Sequence, residues 1–178
     1  MHQYAGGWQT KEQQLIAAVK AHQPQQVRRL LALHADPNAR DGAQRETALH
    51  AACRFSDGAS LALLLLDAGA DADAADADGW TAAHWAAYHN AEPTLRLLLS
   101  RGAQVHLVNH RGEAPLHWAC KNNCARAVRA LGTSPAVELE RRCARQESAR
   151  DWAVRHGADE ALRELWLLTD AAKDAEGG

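Results

Sequence analysis

The spacing of apolar side chains along the chain predicts short amphipathic helices arranged in pairs. In the N-terminal part, Leu15 and Val19 fall at helical spacing, and a second apolar group begins at Val27. The stretch between these groups interrupts the pattern, and Pro24 suits the first turn of a helix, where its missing N–H loses no hydrogen bond. The pattern therefore predicts two helices with a break around residues 22–24.

The same pairing recurs with a period of 33 or 34 residues. The segment TALHAAC begins at Thr47, TAAHWAA begins at Thr81, and APLHWAC begins at Ala114. A leucine-rich run follows the first two segments and ends in Gly-Ala, as at Gly102. A period of this length indicates stacked supersecondary units, each of which buries its apolar side against its neighbours. We therefore expect a repeat protein.

These units resemble ankyrin repeats, both in the start of each unit, which is like T-P-L-H-x-A, and in the loop HADPNA at residues 34–39, which is like G-A-D-x-N-A. The resemblance covers nearly the whole chain and implies an all-α ankyrin-repeat solenoid of helix-turn-helix units joined by β-hairpin-like loops. The implied single domain has an N-terminal capping repeat at 12–40, repeats at 41–75, 76–108 and 109–142, a C-terminal capping repeat at 143–168 and a flexible tail at 169–178. Residues 1–11 are expected to be a loose lead-in, with Trp8 docked on the first helix.

Two units depart from the repeat pattern. The loop that precedes Thr47 is one residue longer than the loop that precedes Thr81, which predicts a bulged or reoriented tip. After Leu131 the expected leucine-rich ending is missing, so the segment 132–147 is expected to be irregular. The regular spacing returns at Ser148, which is placed to cap a further helix together with Asp151. Leu162, Leu165 and Trp166 are expected to continue an apolar side into the C-terminal cap.

Composition narrows the classes of function. A net charge of −2 with 24% charged residues argues against a nucleic-acid-binding chain. No apolar run is long enough to cross a bilayer, and the N-terminus shows no signal segment. Two of the four cysteines, Cys53 and Cys120, occupy the repeat position of Ala87, where a small apolar side chain is expected, and no disulfide framework is evident. We therefore expect a cytoplasmic protein, with the nucleus as the alternative, that does not bind membranes.

No residue pattern typical of an enzyme or a metal site is present. His50, His84 and His117 recur at one repeat position, and in ankyrin repeats this histidine braces its own turn through hydrogen bonds to the backbone. His117, Cys120 and Cys124 have spacing compatible with zinc, but a fourth ligand is missing. The acidic run before Gly79 lacks the first and last carboxylates of a calcium loop. We therefore expect no catalytic residues, cofactor or metal.

Tryptophan is the one aromatic residue that is common in the chain. Trp85, Trp118 and Trp152 share one repeat position, at which packing between units is the expected role and an aromatic binding ladder is the alternative. Trp80 occupies a loop position at which the other units carry Glu. In ankyrin repeats this position faces solvent, so Trp80 is the leading candidate for a binding hot spot, with packing on a neighbouring loop as the alternative.

The resemblance also implies a partner-binding surface on the concave side, formed by the loop tips and the ends of the first helices. Within it, Phe55, Trp80 and Tyr88 are expected to form an aromatic patch. The middle of the chain, residues 55–95, holds seven acidic residues and no Lys or Arg, so this part of the surface is expected to be acidic. The candidate partner-binding residues are Arg54, Phe55, Asp78, Trp80, Tyr88, His89, His110, Arg111, Glu113, Lys121, Asn122, Arg155 and His156.

The function expected from these features is that of a monomeric, non-catalytic protein–protein interaction module. It would bind another protein through its concave face and act as an adaptor or an inhibitor. The alternative is a substrate of a modifying enzyme, because Asn38 resembles the Asn that asparaginyl hydroxylases modify in ankyrin repeats. A nucleic-acid-associated protein is a weaker alternative, because acidic residues dilute the C-terminal arginines.

Overall fold

The computed structural model describes residues 10–176, with side chains described through residue 170. The expected lead-in at residues 1–9, including Trp8, lies outside the described residues. The described part contains ten helices. They are α1 (Lys11–Lys20), α2 (Pro24–Ala32), α3 (Ala48–Ala52), α4 (Ala59–Asp67), α5 (Ala82–Tyr88), α6 (Glu92–Ser100), α7 (Pro115–Lys121), α8 (Ala125–Gly132), α9 (Ala149–Arg155) and α10 (Asp159–Glu176).

The ten helices form five antiparallel pairs stacked in two layers. The first helices of the pairs, α1, α3, α5, α7 and α9, pack against one another in sequence order, and the second helices do the same. The predicted all-α fold of stacked helix pairs is confirmed. The surface made by the loops and the exposed sides of the first helices is called the inner face below.

Local sequence signals explain where the first helices begin. Thr47 and Ser148 accept hydrogen bonds from the backbone N–H groups three residues later, as N-cap side chains do. The backbone N–H of Thr81 donates to His84 Nδ1 at 3.1 Å. Ala114 has no side-chain oxygen, so α7 keeps only the reverse bond, from its N–H to His117. The predicted cap at Ser148, with Asp151, is confirmed; Thr81 occupies the N-cap position of α5, but its side chain makes no cap hydrogen bond to a backbone N–H.

The core is thin and continuous along the stack. The first helices contribute mostly alanine and the second helices mostly leucine, with Leu65 and Leu98 fully buried. Cys53, Cys120 and Ala87 are all fully buried, which confirms that they share one small apolar position. All four cysteines are free thiols. Because small residues line the first helices, adjacent pairs approach closely and bury one another's apolar sides.

Backbone hydrogen bonds join the successive loops of the inner face. Each loop is numbered after the unit that it begins, so the third loop precedes Thr81 and the fourth precedes Ala114. Ala77 donates to Gln44 O at 2.8 Å, His110 donates to Asp78 O at 3.1 Å, and Ala144 donates to the carbonyl oxygen of the fourth loop at 3.0 Å. In the longer loop before Thr47, Arg45 takes a positive φ of 52° at the repeat position where Gly79 has 83°, and Gly42 adds a second positive φ of 60°. The loops therefore form a connected ladder, although the described residues contain only two isolated β-bridges.

The C-terminal part differs from the sequence-based expectation at two points. Helix α10 continues to Glu176, so the tail predicted from residue 169 is helical over most of its length. Leu165 is buried, as predicted for the apolar side of the cap, but Trp166 is 56% exposed. The reason is helical geometry, because adjacent residues are rotated by about 100° and only one of them can face α8. The segment 133–147 consists of turns and a single bridge, in agreement with its predicted irregularity.

Candidate functional site: the aromatic inner face

Five aromatic side chains lie together on the inner face, and Trp80 is at their centre. The centroid of its ring lies 4.6 Å from that of Trp118, 4.8 Å from Trp85 and 5.8 Å from Tyr88. Trp118 continues the contact to Trp152, at 5.4 Å. We call these five residues the aromatic face. It spans three successive units, because the rings come from loop three and from helices α5, α7 and α9.

The three tryptophans that share a repeat position are packed between units. Trp118 and Trp152 are buried, and Trp85 is half-buried. The predicted packing role is therefore confirmed for Trp118 and Trp152. The rings of these residues also form part of the continuous aromatic row, with Trp80 placed between Trp85 and Trp118. The alternative, an aromatic binding ladder, remains a prediction.

The sequence predicts that the loop position of Trp80 faces solvent. In the structure it does not. Its equivalents Glu46 and Glu113 are 9% and 3% exposed, and Trp80 is half-buried. The side chain at this position folds back toward the first helices, where Glu46 pairs with Lys20 of the preceding unit at 2.9 Å and with Arg54 of its own unit at 3.3 Å. Trp80 packs in the same place against the ring of Trp85 in its own unit and the ring of Trp118 on α7 of the next unit. The expected alternative was packing on a neighbouring loop, and the structure differs from it because the neighbouring ring lies on a helix.

The predicted aromatic patch also needs correction at Phe55. Phe55 lies in the turn between α3 and α4, and its ring makes an edge contact with His22, at 5.3 Å between centroids. His22 in turn pairs with Asp57 at 3.4 Å. Phe55 therefore faces the preceding unit. Among the described residues, Phe55 makes no ring contact with Trp80 or Tyr88.

Cationic side chains cover several rings of the aromatic face. The guanidinium of Arg54 lies 5.0 Å from the ring centroid of Trp85. Lys121 Nζ lies 4.5 Å from the ring of Trp118 and 5.7 Å from that of Trp152. Such cation–π contacts are attractive because the ring face is negative. Within the described residues, no Lys or Arg of the chain covers the ring of Trp80.

The indole N–H groups of the aromatic face are only partly satisfied. Trp85 Nε1 donates to Asp76 Oδ2 at 3.1 Å, and Trp152 Nε1 donates to Glu147 Oε2 at 3.0 Å. Trp118 Nε1 is buried and has no hydrogen-bond partner among the described residues. A buried unpaired donor costs about 1–3 kcal/mol. The ring packing around Trp118 must offset that cost.

Two clefts open on the inner face beside these rings. The first has a volume of about 190 Å³ and lies between the third and fourth loops. It is lined by Asp78, Trp80, Trp85, Asn109, His110, Arg111 and Trp118. The second has a volume of about 100 Å³ and is lined by Lys121, Arg145, Trp152, Arg155 and His156. The first cleft is aromatic and the second is cationic, so the inner face changes character from one unit to the next.

Most other candidate residues lie at the rims of these clefts. Tyr88 is 37% exposed, and Asn122 donates to its carbonyl oxygen at 3.1 Å. Asp78, His110, Arg111, Arg155 and His156 are exposed. His89 stacks on Trp85 with an interplanar angle of 13°. Burial and the nearby Arg54 lower the pKa of His89, so its imidazole is neutral at pH 7.

Glu113 does not belong to an accessible surface. It is buried, and its carboxylate accepts a hydrogen bond from Asn109 Nδ2 at 2.8 Å. The pair closes the base of the fourth loop, where Asn109 Oδ1 also accepts from the backbone N–H of Glu113. Glu113 is therefore removed from the set of partner-contacting residues. Its role is to hold the loop that carries His110 and Arg111.

The three repeated histidines act as structural braces. His84 Nδ1 accepts from the Thr81 N–H, which can only donate, so the neutral ring must carry its proton on Nε2 and donate it to Glu113 O at 2.9 Å. Burial lowers the pKa of His84 to about 4. Burial also lowers the pKa values of His50 and His117. The predicted backbone bracing is confirmed, and the described residues contain no His, Cys, Asp or Glu cluster able to hold a metal ion.

Asn38, in the loop between α2 and α3, also has a structural role. Its Nδ2 donates to Gly69 O at 2.9 Å, and its Oδ1 accepts from the backbone N–H of Asp71 at 2.7 Å. Asp73, one unit later, accepts from the backbone N–H and from the side-chain Nε2 of Gln104, both at 2.8 Å. These bonds link consecutive units and account for the Asn at this position. Hydroxylation of Asn38 remains a prediction from the resemblance alone.

The stacked helix pairs define a repeat protein whose inner face carries a row of aromatic rings. A comparison with protein families matches the model of ankyrin repeats, in three copies, to residues 15–109. Because this match covers more than half of the chain, the chain belongs to the ankyrin repeat family. No curated protein matches it significantly. Within the described residues, no helix is both long enough and apolar enough to cross a membrane.

Proposed function

We propose that the chain is a non-catalytic module that binds a partner protein through the inner face. Ankyrin repeats are generally protein–protein interaction modules. The proposal places the contact on the aromatic face and on the exposed residues around its two clefts. Bound there, the chain would act as an adaptor or as an inhibitor, either by bridging two proteins or by covering a partner's surface.

The aromatic face is the observation that carries this proposal. Interface centres are enriched in Trp, Tyr and Arg, and their rims are polar. Here the half-buried Trp80 and Trp85 and the 37% exposed Tyr88 lie beside exposed Asp78 and Arg111. The rings are held by one another and by the first helices, so little side-chain freedom is lost on binding. The surface is therefore built for recognition at low entropic cost.

The chemistry of the reactive side chains supports a non-catalytic role. Burial raises the pKa of Cys120 to about 12 and that of Cys124 to about 11, so neither thiol is an activated nucleophile. The most buried histidines use their ring nitrogens in structural hydrogen bonds. Ankyrin repeats are typically non-catalytic. Nothing at the inner face pairs a base with a nucleophile among the described residues.

The experiment compares two variants in affinity capture from the native organism. Tyr88→Ala removes an exposed ring of the inner face, and we expect it to reduce the recovered partner by about thirtyfold, as for a hot spot of about 2 kcal/mol. Arg96→Ala is the matched control, since Arg96 is exposed on α6 in the other layer and pairs only with Glu92.

Mass spectrometry of the captured proteins and the thermal midpoint of each variant are the two readouts. Both variants should keep a cooperative unfolding transition. If Tyr88→Ala recovers the same proteins in the same amounts as the unmodified chain, the inner face does not bind the partner and the proposal is wrong.

A further inference from the structure

We propose that the cleft between the third and fourth loops holds a methylated lysine side chain of the partner protein. This inference rests on the proposed function and names the chemistry that the inner face would recognise. It assigns the cationic head of the ligand to the rings of Trp80, Trp85 and Trp118. The cleft has a volume of about 190 Å³ and opens beside these three rings.

The rings around the cleft are inclined to one another and do not form a parallel stack. The ring of Trp80 makes angles of 44° with Trp85, 46° with Trp118 and 60° with Tyr88. Tyr88 and Trp118 are also in contact, at 5.7 Å and 53°. Rings inclined in this way present faces in several directions around one point. Such an arrangement suits a rounded group, whereas a flat ligand would need parallel rings.

The inner face already attracts cations through its rings. Arg54 and Lys121 use this attraction within the chain, over Trp85 and Trp118 respectively. Trp binds cations more strongly than the other aromatic residues do, and recognition of alkylated ammonium groups by aromatic rings is an established use of this interaction. Trp80 is the central ring, and no cation of the described residues covers it. It is therefore the ring left for a cation from outside.

The polar groups of the cleft favour a methylated over an unmethylated ammonium. An unmethylated lysine head has three N–H donors that need acceptors once it leaves water. The side chain of Asn109 is engaged by Glu113 and by the loop backbone. Asp78 is then the lining carboxylate that remains, and it is exposed at the rim. One rim carboxylate can balance the charge of a ligand but cannot satisfy three donors.

The position of Trp80 in the repeat supports a specific role for it. The other units carry Glu46, Glu113 and Glu147 at this position, and each of these carboxylates pairs with a neighbouring side chain. In the third unit the ring replaces the carboxylate, and Asp76 instead accepts the indole N–H of Trp85. The substitution therefore adds a ring to the cleft while the loop keeps its hydrogen bonds.

The test uses a set of short acetylated and amidated peptides of sequence Gly-Ala-Lys-Ala-Gly. The lysine is unmethylated, monomethylated, dimethylated or trimethylated, and a fifth peptide carries a neutral isostere in which carbon replaces the nitrogen. Binding is followed through the NMR signals of the indole Nε1–H groups. Trp166 serves as an internal reference, because it lies on α10 and is 56% exposed.

We expect the signals of Trp80, Trp85 and Trp118 to shift with the dimethylated or trimethylated peptide, while that of Trp166 stays in place. Binding should be about tenfold weaker for the unmethylated peptide and for the neutral isostere, because the former keeps its donors and the latter lacks the charge. Equal binding of the isostere would show a purely apolar cleft and overturn the proposal. Equal binding of unmethylated lysine, or no shift with any peptide, would overturn it as well.

Two variants separate the ligand class from general damage to the fold. Trp80→Glu installs the residue that the other three units carry and should abolish the shifts of Trp85 and Trp118. Trp80→Phe keeps a ring and serves as the second variant in case Trp80→Glu does not fold. It should weaken binding severalfold, because Phe attracts cations less than Trp does.

Lys121→Gln removes a resident cation and should strengthen binding of the methylated peptide, whereas an acidic ligand would bind more weakly. Weaker binding of the methylated peptide by this variant would contradict the proposal. If the peptides fail but capture of a partner still depends on Tyr88, the inner face binds a protein without reading a methylated lysine. If capture is also unaffected, the proposed function itself is wrong.

Discussion

At the scale of single residues, the repeated histidines show how the fold uses one side chain to join two elements. His84 accepts from the Thr81 N–H with one ring nitrogen and donates to Glu113 O with the other. The first bond requires the neutral imidazole, because the protonated ring cannot accept, whereas either form can donate the second. The ring is also buried, which disfavours its charged form. Burial therefore lowers the pKa of His84 to about 4, and it lowers those of His50 and His117 as well.

We predict that the free energy of unfolding falls as the pH is lowered from 7 toward 4.5. The unfolded chain binds protons on these histidines below a pKa of about 6.5. In the folded chain their pKa values are lowered, that of His84 to about 4, so the unfolded chain binds more protons as the pH falls through this range. The loss from His84 alone is on the order of 3 kcal/mol when fully developed. Urea denaturation at several pH values measures the slope.

His84→Gln is the control for this prediction. The variant is less stable at pH 7, but its stability should depend less on pH between 6.5 and 4.5, because one buried titrating group is gone. An unchanged slope would contradict the assignment. The lowered pKa values of Asp151 and Glu164 act in the same direction but at a lower pH, below about 4.5, where the carboxylates of the unfolded chain take up protons.

At the scale of elements, the loops of the inner face form a ladder that depends on close backbone approach. Gly79 has a φ of +83°, and a β-carbon there would lie 2.9 Å from the backbone nitrogen of His110. That nitrogen donates the hydrogen bond which joins the third and fourth loops. Gly102, with a φ of +79°, has no atom within 4 Å of the same position. The two glycines thus share a backbone conformation and differ in their surroundings.

We predict that Gly79→Ala destabilises the protein more than Gly102→Ala does. In both variants an alanine must adopt the left-handed conformation, which costs about 1–2 kcal/mol. In Gly79→Ala the new β-carbon must in addition displace the fourth loop, which costs about 1–3 kcal/mol more. Equilibrium urea denaturation of the two variants gives the difference. Equal losses would mean that the fourth loop moves without cost and that the ladder does not hold the loops together.

At the scale of the whole molecule, stability is distributed along the stack. Each helix pair packs on the pairs before and after it, so the effect of a local change should decay with distance along the stack. The two clefts and the aromatic face lie between the third unit and the last one. The proposed binding surface therefore depends on the interfaces among these units more than on the N-terminal cap.

We predict that Ser148→Ala loosens the C-terminal part alone. The change removes the hydroxyl that accepts from Asp151 N at 3.2 Å and costs about 1 kcal/mol at the start of α9. Hydrogen exchange followed by mass spectrometry should show faster exchange in α9 and α10, with little change in α3 and α4. A uniform increase along the chain would instead indicate one cooperative unit.

Repeat spacing was sufficient to predict the helix pairs, the caps and the buried positions of Cys53 and Cys120. These features depend on neighbouring residues in one unit, which a single sequence shows directly. The surroundings of Trp80, Glu113 and Phe55 depend on which side chains of another unit lie opposite. The spacing within one unit carries no information on the side chains of another unit. The predictions that the loop position of Trp80 faces solvent and that Phe55 joins the aromatic patch were therefore wrong. The Glu-to-Trp difference at position 80 was nevertheless visible in the sequence.

The bonds from His84 to Glu113 and from His117 to Glu147 have a consequence for synthesis of the chain. Each histidine finds its acceptor about 30 residues later in the sequence, since the separations are 29 and 30 residues. A unit that has just left the ribosome therefore carries an imidazole whose partner has not yet emerged. The newest unit of the growing chain therefore lacks this hydrogen bond until the loop of the next unit is available.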